Sequence, residues 1–396
     1  MRNFILHDPK LLIYGFLIIF FASYGQTFFI ALFNDDIKNS YNLSDGQFGM
    51  VYALATTLSS IFLVNFAKLI DYVDLRLYSF FVTSGLLISC LFLYILPENI
   101  FLLFIIIFAL RFFGQGAMTH AGITSMTRYF GKNKGKAISF GNLGGMLGVM
   151  FLPIIVVYLN NYYSFKQIWL LSSISLLLFL PILYFSLSNQ EQRQNRLNDS
   201  IKNEKKIWTT FQVLKNQKFL LYLPITTSFG FIGTGLMFHQ IFIFTEKGWT
   251  IEMLGTGFLF LGAFSIVGLL LGGPLIDLLN PRKAIIYVLL PIFIGILILL
   301  FFNDYYFFII YMSLYGLNLG ISAPFTGSLW AELFNLESLG TVKALFHAAI
   351  VLSSALSPVL FGYLIDWGFG ITMIATICLI IIIFSTMLPL IIKINE

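Results

Sequence analysis

At 396 residues, 58% of them hydrophobic and only 10% charged, the chain is too apolar for an ordinary soluble domain, where charged residues make up roughly a quarter. The net charge of +5 does not point to nucleic acid, because the basic residues sit in short loops between apolar runs. What remains is an all-α polytopic membrane protein. With about 20 residues needed per crossing, the apolar runs predict twelve transmembrane helices, here called spans 1 to 12, near 11–33, 46–69, 77–96, 99–128, 135–159, 164–187, 219–246, 252–279, 282–302, 304–333, 338–365 and 369–393. The run from Leu11 to Phe33 is too long for a signal-peptide core and lacks a small-residue cleavage site, so it is kept as span 1.

Span 1 carries a polar cluster, Ser23, Tyr24, Gln26 and Thr27, inside an otherwise apolar run. Span 4 holds Arg111, the one basic residue in the interior of any span, about 12 residues or ~18 Å from the span's start and so near mid-membrane. A guanidinium there costs from ~3 kcal/mol to well over 10 and is kept only where it faces a polar cavity or a partner. No Asp or Glu lies in the interior of the first six spans, so no acid partner is evident, and Gln115 follows one turn later. Gly114, Gly116 and Gly122, then Gly141, Gly144, Gly145 and Gly148 on span 5, let neighbouring backbones approach closely.

Ser188 to Lys218 is the one long polar interruption, read as a solvated cytoplasmic linker with a surface-lying helix. It divides the chain into a six-helix bundle over 1–187 and a second over 219–396. In the second half, span 7 carries His239, span 10 carries Asn318, Ser322, Thr326 and a helix-breaking Pro324, and span 11 carries His347. His120 on span 4 reads either as a proton relay or as a packing histidine. Cys90 and Cys378 fall mid-span and read as small buried apolar residues, not as a disulfide.

Nineteen of the 23 Lys and Arg fall on one side if both termini share it; only Lys38, Lys166 and Lys247 fall on the other, and Arg111 completes the set. The asymmetry places both termini in the cytoplasm, with the plasma membrane as the expected location. The halves also repeat. At a constant offset of 206, Gly49 meets Gly255, Leu69-Ile70-Asp71 meets Leu275-Ile276-Asp277, and Arg76 meets Arg282. Spans 1 and 7 start on the same side, so these are parallel six-helix repeats related by an axis along the membrane normal.

This pattern resembles the major facilitator superfamily across essentially the whole chain. The family's loop motif after helix 2 appears as Ala67-Lys68-Leu69-Ile70-Asp71-Tyr72-Val73-Asp74-Leu75-Arg76, and its second-half echo as Gly273-Pro274-Leu275-Ile276-Asp277 followed by Arg282-Lys283. The resemblance implies a gating role for Asp71, Arg76, Asp277 and Arg282, with Glu332 at the inner end of span 10 joining through Lys343 or a neighbour. Arg128-Tyr129-Phe130, Gly135-Lys136-Ala137, Gly141, Gly145 and Pro153, then Ala331-Glu332-Leu333-Phe334 and Pro358-x-x-x-Gly362-x-x-x-Asp366, further resemble the branch of monocarboxylate transporters and oxalate–formate exchangers. Several carriers of that branch use an Arg on helix 8, whereas span 8 here has no Lys or Arg.

The expectation is a secondary transporter of a small organic anion, a mono- or short dicarboxylate, working by alternating access with proton coupling or exchange. Arg111, Gln115, Tyr24, Gln26, His239, Asn318 and His347 are its candidate substrate contacts. The alternative is a carrier of a neutral or cationic compound in which Arg111 is structural. Expected partners are the substrate, protons and the lipid bilayer, with no nucleic acid, and the chain acts as a monomer. No phosphate-cradling loop, metal-spaced Cys/His set or nucleophile constellation is present in the sequence, so no enzyme activity, metal or cofactor is expected.

Overall fold

The computed structural model describes residues 8–130, 133–188, 209–334 and 339–391. Lys132, the basic run of the linker through Lys206, and Lys393 lie outside them. Every regular element among the described residues is helical. Among the described residues, eleven helices are long and apolar enough to cross a membrane, and a bent pair, Pro9–Gly25 and Thr27–Tyr41, makes a twelfth when counted as one span. The twelve-helix reading of the sequence therefore holds.

Four spans are not the plain helices the apolar runs suggest. Span 1 begins with Pro9–Phe21, where Asp8 accepts from the Leu11 amide and Pro9 has no amide to satisfy. It tightens over Ala22–Gly25, breaks at Gln26 in extended geometry (φ −83°, ψ 153°), and resumes at Thr27 with a 45° bend. It then runs on to Tyr41, eight residues past the expected end. Span 4 is α-helical over Ile100–Ala109 and Thr119–Tyr129, with a wider π-helical segment, Leu110–Met118, between them. Span 7 stops at Phe238, turns on His239 and restarts as Gln240–Lys247. Span 9 is assembled from Pro281–Ala284, Ile285–Tyr287 and Leu290–Phe301.

The chain forms two compact units, one of Met1–Leu43 with Val51–Lys202, the other of Ser44–Met50 with Asn203–Glu396. In the first, Phe29, Phe33 and Trp169 stack edge to face or tilted, with ring centroids 5.2 to 5.6 Å apart. In the second, Val213 of the short helix Thr210–Leu214 packs with Phe219, Trp330, Phe334 and Val342. This fastens the part of the linker region that is described to spans 7, 10 and 11. Between spans 3 and 4, Glu98 pairs with Lys166, which holds its carboxyl below the usual range. Both cysteine thiols are free and fully buried.

Candidate functional site

The break in span 1 and the wide turn in span 4 meet. A Cβ on Gly25 would stand 2.8 Å from Gly114 Cα and closer still to the Leu110 carbonyl, so only a glycine at each position lets the two backbones cross here. Because the helix breaks at Gln26, the Phe29 amide bonds Gln26 O, one residue on from the regular partner, Gly25 O. Arg111 takes up the freed carbonyl: its Nη1 donates to Gly25 O at 3.1 Å and to Thr27 Oγ1 at 3.3 Å. Nε donates to Thr56 Oγ1 on span 2 at 3.2 Å, and the guanidinium carbon lies 5.0 Å above the Tyr52 ring. Tyr52 in turn shares a 2.7 Å hydrogen bond with Thr27.

Arg111 is 2% exposed. Hydrogen bonds to a charged group are worth roughly 1.5–3 kcal/mol each, and the cation–π contact adds up to ~2 kcal/mol when desolvated, so this set offsets much of the cost of burying the cation. It does not neutralise the charge. Among the described residues no carboxylate forms an ion pair with Arg111, and Nη2, with two N–H donors, has no protein acceptor. A cation with one unused edge can bind an anion, here through the two N–H groups of Nη2.

A Major Facilitator Superfamily model matches residues 15–267 and again 225–393, together most of the chain. The chain belongs to the Major Facilitator Superfamily. It is a multi-pass membrane transporter, not an enzyme. Among solved structures, this superfamily member is similar to a bacterial homolog of the human lysosomal transporter Spinster in an inward-facing, unoccupied conformation. That likeness has a TM-score of 0.70 and 15% identity over 97% of this chain and 95% of the other. It is likewise similar to the nucleoside transporter NupG, with a TM-score of 0.72 and 12% identity over 97% of each chain. At these identities the likeness concerns the fold. No functionally curated protein matches the sequence.

Within this superfamily frame the other sequence candidates separate. Gln26 and Gln115 directly follow the two touching glycines, are half-buried, and have no side-chain hydrogen bond among the described residues. Tyr24 goes elsewhere. Its hydroxyl bonds Ser175 on span 6 at 2.8 Å and its ring packs on Phe29. Asn318 is fully buried; its Oδ1 accepts from the Ile292 amide in the first turn of Leu290–Phe301, and its Nδ2 donates to Ser322. Ser322 and Thr326 bond back to carbonyls of their own helix, a common use of hydroxyls in apolar helices. His347 is exposed with no side-chain partner among the described residues, and His120 faces Thr124 one turn on. His239 is buried, its Nε2 2.9 Å from the Pro358 carbonyl and its Nδ1 3.6 Å from Asp45 Oδ1.

The charged residues at the span ends form pairs inside each unit. Asp71 pairs with Arg128, whose Nη1 also donates to Ile70 O at 2.9 Å. Arg76 does not reach Asp71; its Nη2 donates to Leu187 O at 2.8 Å and its guanidinium covers the Tyr184 ring. In the second unit Asp277 is exposed and has no side-chain partner among the described residues, while Arg282 Nε lies 3.0 Å from Glu332 Oε1. Glu332 thus pairs with Arg282, not with Lys343. The repeats use opposite signs: acid after span 2 with base at the end of span 4, base after span 8 with acid at the end of span 10. Tyr52 and Thr56 are the contacts that sequence reading missed. Their i, i+4 spacing on span 2 puts them on one face, but nothing in the sequence ties that face to Arg111.

Proposed function

We propose that this transporter moves a small organic anion, a mono- or short dicarboxylate, by alternating access, with Arg111 holding the carboxylate and a co-transported proton or a counter-anion offsetting its charge. The observation that carries the reading is a buried guanidinium with no acid partner among the described residues and two N–H donors left over on Nη2. Gln26 and Gln115 supply further polar groups beside the same helix crossing. The motifs resembling the monocarboxylate and oxalate–formate branch support the same substrate class. The charge asymmetry of the loops supports insertion in the cell membrane with both termini in the cytoplasm. The linker between the apolar sets supports two six-helix bundles, 1–187 and 219–396, acting as a monomer.

A second reading rests on the three protein acceptors of Arg111. They brace the broken span 1 against spans 2 and 4, as they would in a carrier of a neutral or cationic compound. Uptake of radiolabelled lactate and oxalate into proteoliposomes separates the two. The anion reading expects Arg111→Lys, which keeps the charge but cannot brace Thr56, Gly25 O and Thr27 while presenting the two Nη2 donors, to cut carboxylate uptake by about tenfold or more. Arg111→Ala is checked for folding by size-exclusion elution. Equal carboxylate uptake by wild type and Arg111→Lys overturns the assignment. In a thermal-shift panel, a true ligand at 100 times its dissociation constant should add ~2.7 kcal/mol to wild-type stability; stabilisation by amines or nucleosides and not by carboxylates favours the second reading.

A further inference from the structure

The second unit contains a polar cluster that anion binding does not use. It gathers where residues 44–50, the first turns of Asp45–Phe66, lie against spans 7 and 11. Asp366 at the end of span 11 caps those turns. Its carboxylate accepts from Ser44 Oγ at 2.6 Å, from the Asp45 amide at 3.0 Å and from the Gly46 amide at 2.9 Å. Glycines set the approach, since a Cβ on Gly362 would meet the Asp45 backbone and one on Gly46 the Asp366 carboxylate. His239, at the break in span 7 and 2% exposed, sits between Asp45 and the Pro358 carbonyl.

The hydrogens in this cluster follow from what each atom can do. A carbonyl oxygen only accepts, so Nε2 of His239 carries a hydrogen to make its 2.9 Å bond to Pro358 O. A neutral imidazole then turns a bare Nδ1 lone pair toward the Asp45 carboxylate 3.6 Å away, two acceptors facing each other. Nδ1 is buried and has no hydrogen-bond partner among the described residues. One added proton resolves the conflict. Placed on Nδ1 it makes an imidazolium facing a carboxylate; placed on Asp45 it makes an acid that donates to Nδ1. Among the described residues, the neighbouring ionisable groups include Asp366, held by the three donors above, Tyr363 beside Gly46, and Glu246, which accepts from the Ile371 amide. Lys218, Lys247 and Lys343 lie toward the ends of spans 7 and 11, and Lys247 is engaged by Asn303 and Phe302.

We propose that His239 and Asp45 together form a proton-binding site, and that the bound proton fastens residues 44–50 to spans 7 and 11. Occupancy by one proton gives attraction between the two side chains, and its loss leaves repulsion. The hold on 44–50 is therefore greatest at low pH and weakens as pH rises past the point of proton release. The site supplies a place for the proton of the proton-coupled form of the proposed transport, and in that role it rests on that reading. The binding itself is tested without substrate, so it stands or fails apart from Arg111.

The full chain is prepared with ¹⁵N-labelled histidine in lipid nanodiscs, and the His239 resonances are identified by their absence in His239→Gln. Titration between pH 5 and 9 follows the protonation of Nδ1, and infrared difference spectra follow a protonated Asp45. The expected result is a single proton on the pair, released in Asp45→Asn at least about one pH unit lower than in wild type. A wild-type carboxylic-acid band that vanishes in Asp45→Asn, with a neutral imidazole, supports the site equally. An Asp45→Asn titration matching wild type, with no such band, overturns it. Hydrogen exchange at the Asp45 and Gly46 amides, corrected for intrinsic rates, should quicken with pH in wild type. It should not do so in His239→Gln, whose side-chain amide can still donate to Pro358 O but does not titrate. The same pH dependence in both proteins rejects the fastening role.

Discussion

Arg111 shows how far a single buried charge constrains its surroundings. Its position between Leu110 and Phe112 makes it conspicuous in the sequence, and Thr27 belongs to the polar cluster that the sequence also marks. What the residue types did not reveal is direction. Tyr24, three residues before Thr27, turns to Ser175 on span 6, and Asn318 spends both ends of its amide on span 9 and its own helix. A polar side chain in an apolar run announces a partner without saying which neighbour supplies it. Thr27 is the residue whose removal should be felt most, because its hydroxyl serves both the guanidinium and the Tyr52 hydroxyl. Thr27→Val keeps the shape and leaves both groups short of a partner. It should cost about 1–3 kcal/mol, read as a lowered midpoint in detergent thermal unfolding, with Thr27→Ser recovering most of the loss.

At the level of the helix, the twelve apolar runs were legible because a membrane demands length and hydrophobicity together. Their interruptions were not. Span 1 breaks at Gln26 without a proline, span 7 at His239 without a proline or glycine, and span 4 widens over Leu110–Met118 with no local signal beyond Gly114 and Gly116. Tertiary contact decides these breaks: the carbonyl that the kink releases on Gly25 is satisfied by a side chain three spans further along the sequence. Wide turns of this kind concentrate at functional sites, in keeping with Arg111 at the second residue of the segment. The crossing of Gly25 and Gly114 has no spare room, and the nearest atoms are backbone, which cannot swing aside. Gly114→Ala should therefore destabilise the protein by about 1–3 kcal/mol, whereas Gly135→Ala, where a Cβ meets nothing within 4 Å, serves as the neutral control. Comparable melting midpoints for the two variants would contradict the close approach.

Over the whole chain, the repeat visible as a 206-residue offset reappears as two units with matching span ends, yet their charge pairs are reversed in sign. Sequence alignment of the halves matched Asp71 with Asp277 and Arg76 with Arg282, and it missed the reversal because the pairing partners, Arg128 and Glu332, sit some 50 to 60 residues further on. Asp277, the formal counterpart of Asp71, is left exposed, and the second half instead uses the arginine of the same loop. Periodic motifs locate such a loop; they do not tell which of its charges is engaged.

The two native thiols have a practical bearing on all of these measurements. Cys90 and Cys378 are each 0% exposed, so the unmodified chain should react negligibly with a bulky, membrane-impermeant maleimide while it stays folded. New cysteines can then be introduced singly into the natural background, with no prior removal of the existing pair. One placed at Asn3 and another at Asn161 would report the sidedness of the tail and of the loop between spans 5 and 6 in intact cells. Labelling of the second alone is the outcome expected of an inward-lying tail. Strong labelling of the unaltered protein would mean that the thiols are reached in some other conformation of the transport cycle, turning a blank background into a probe of it.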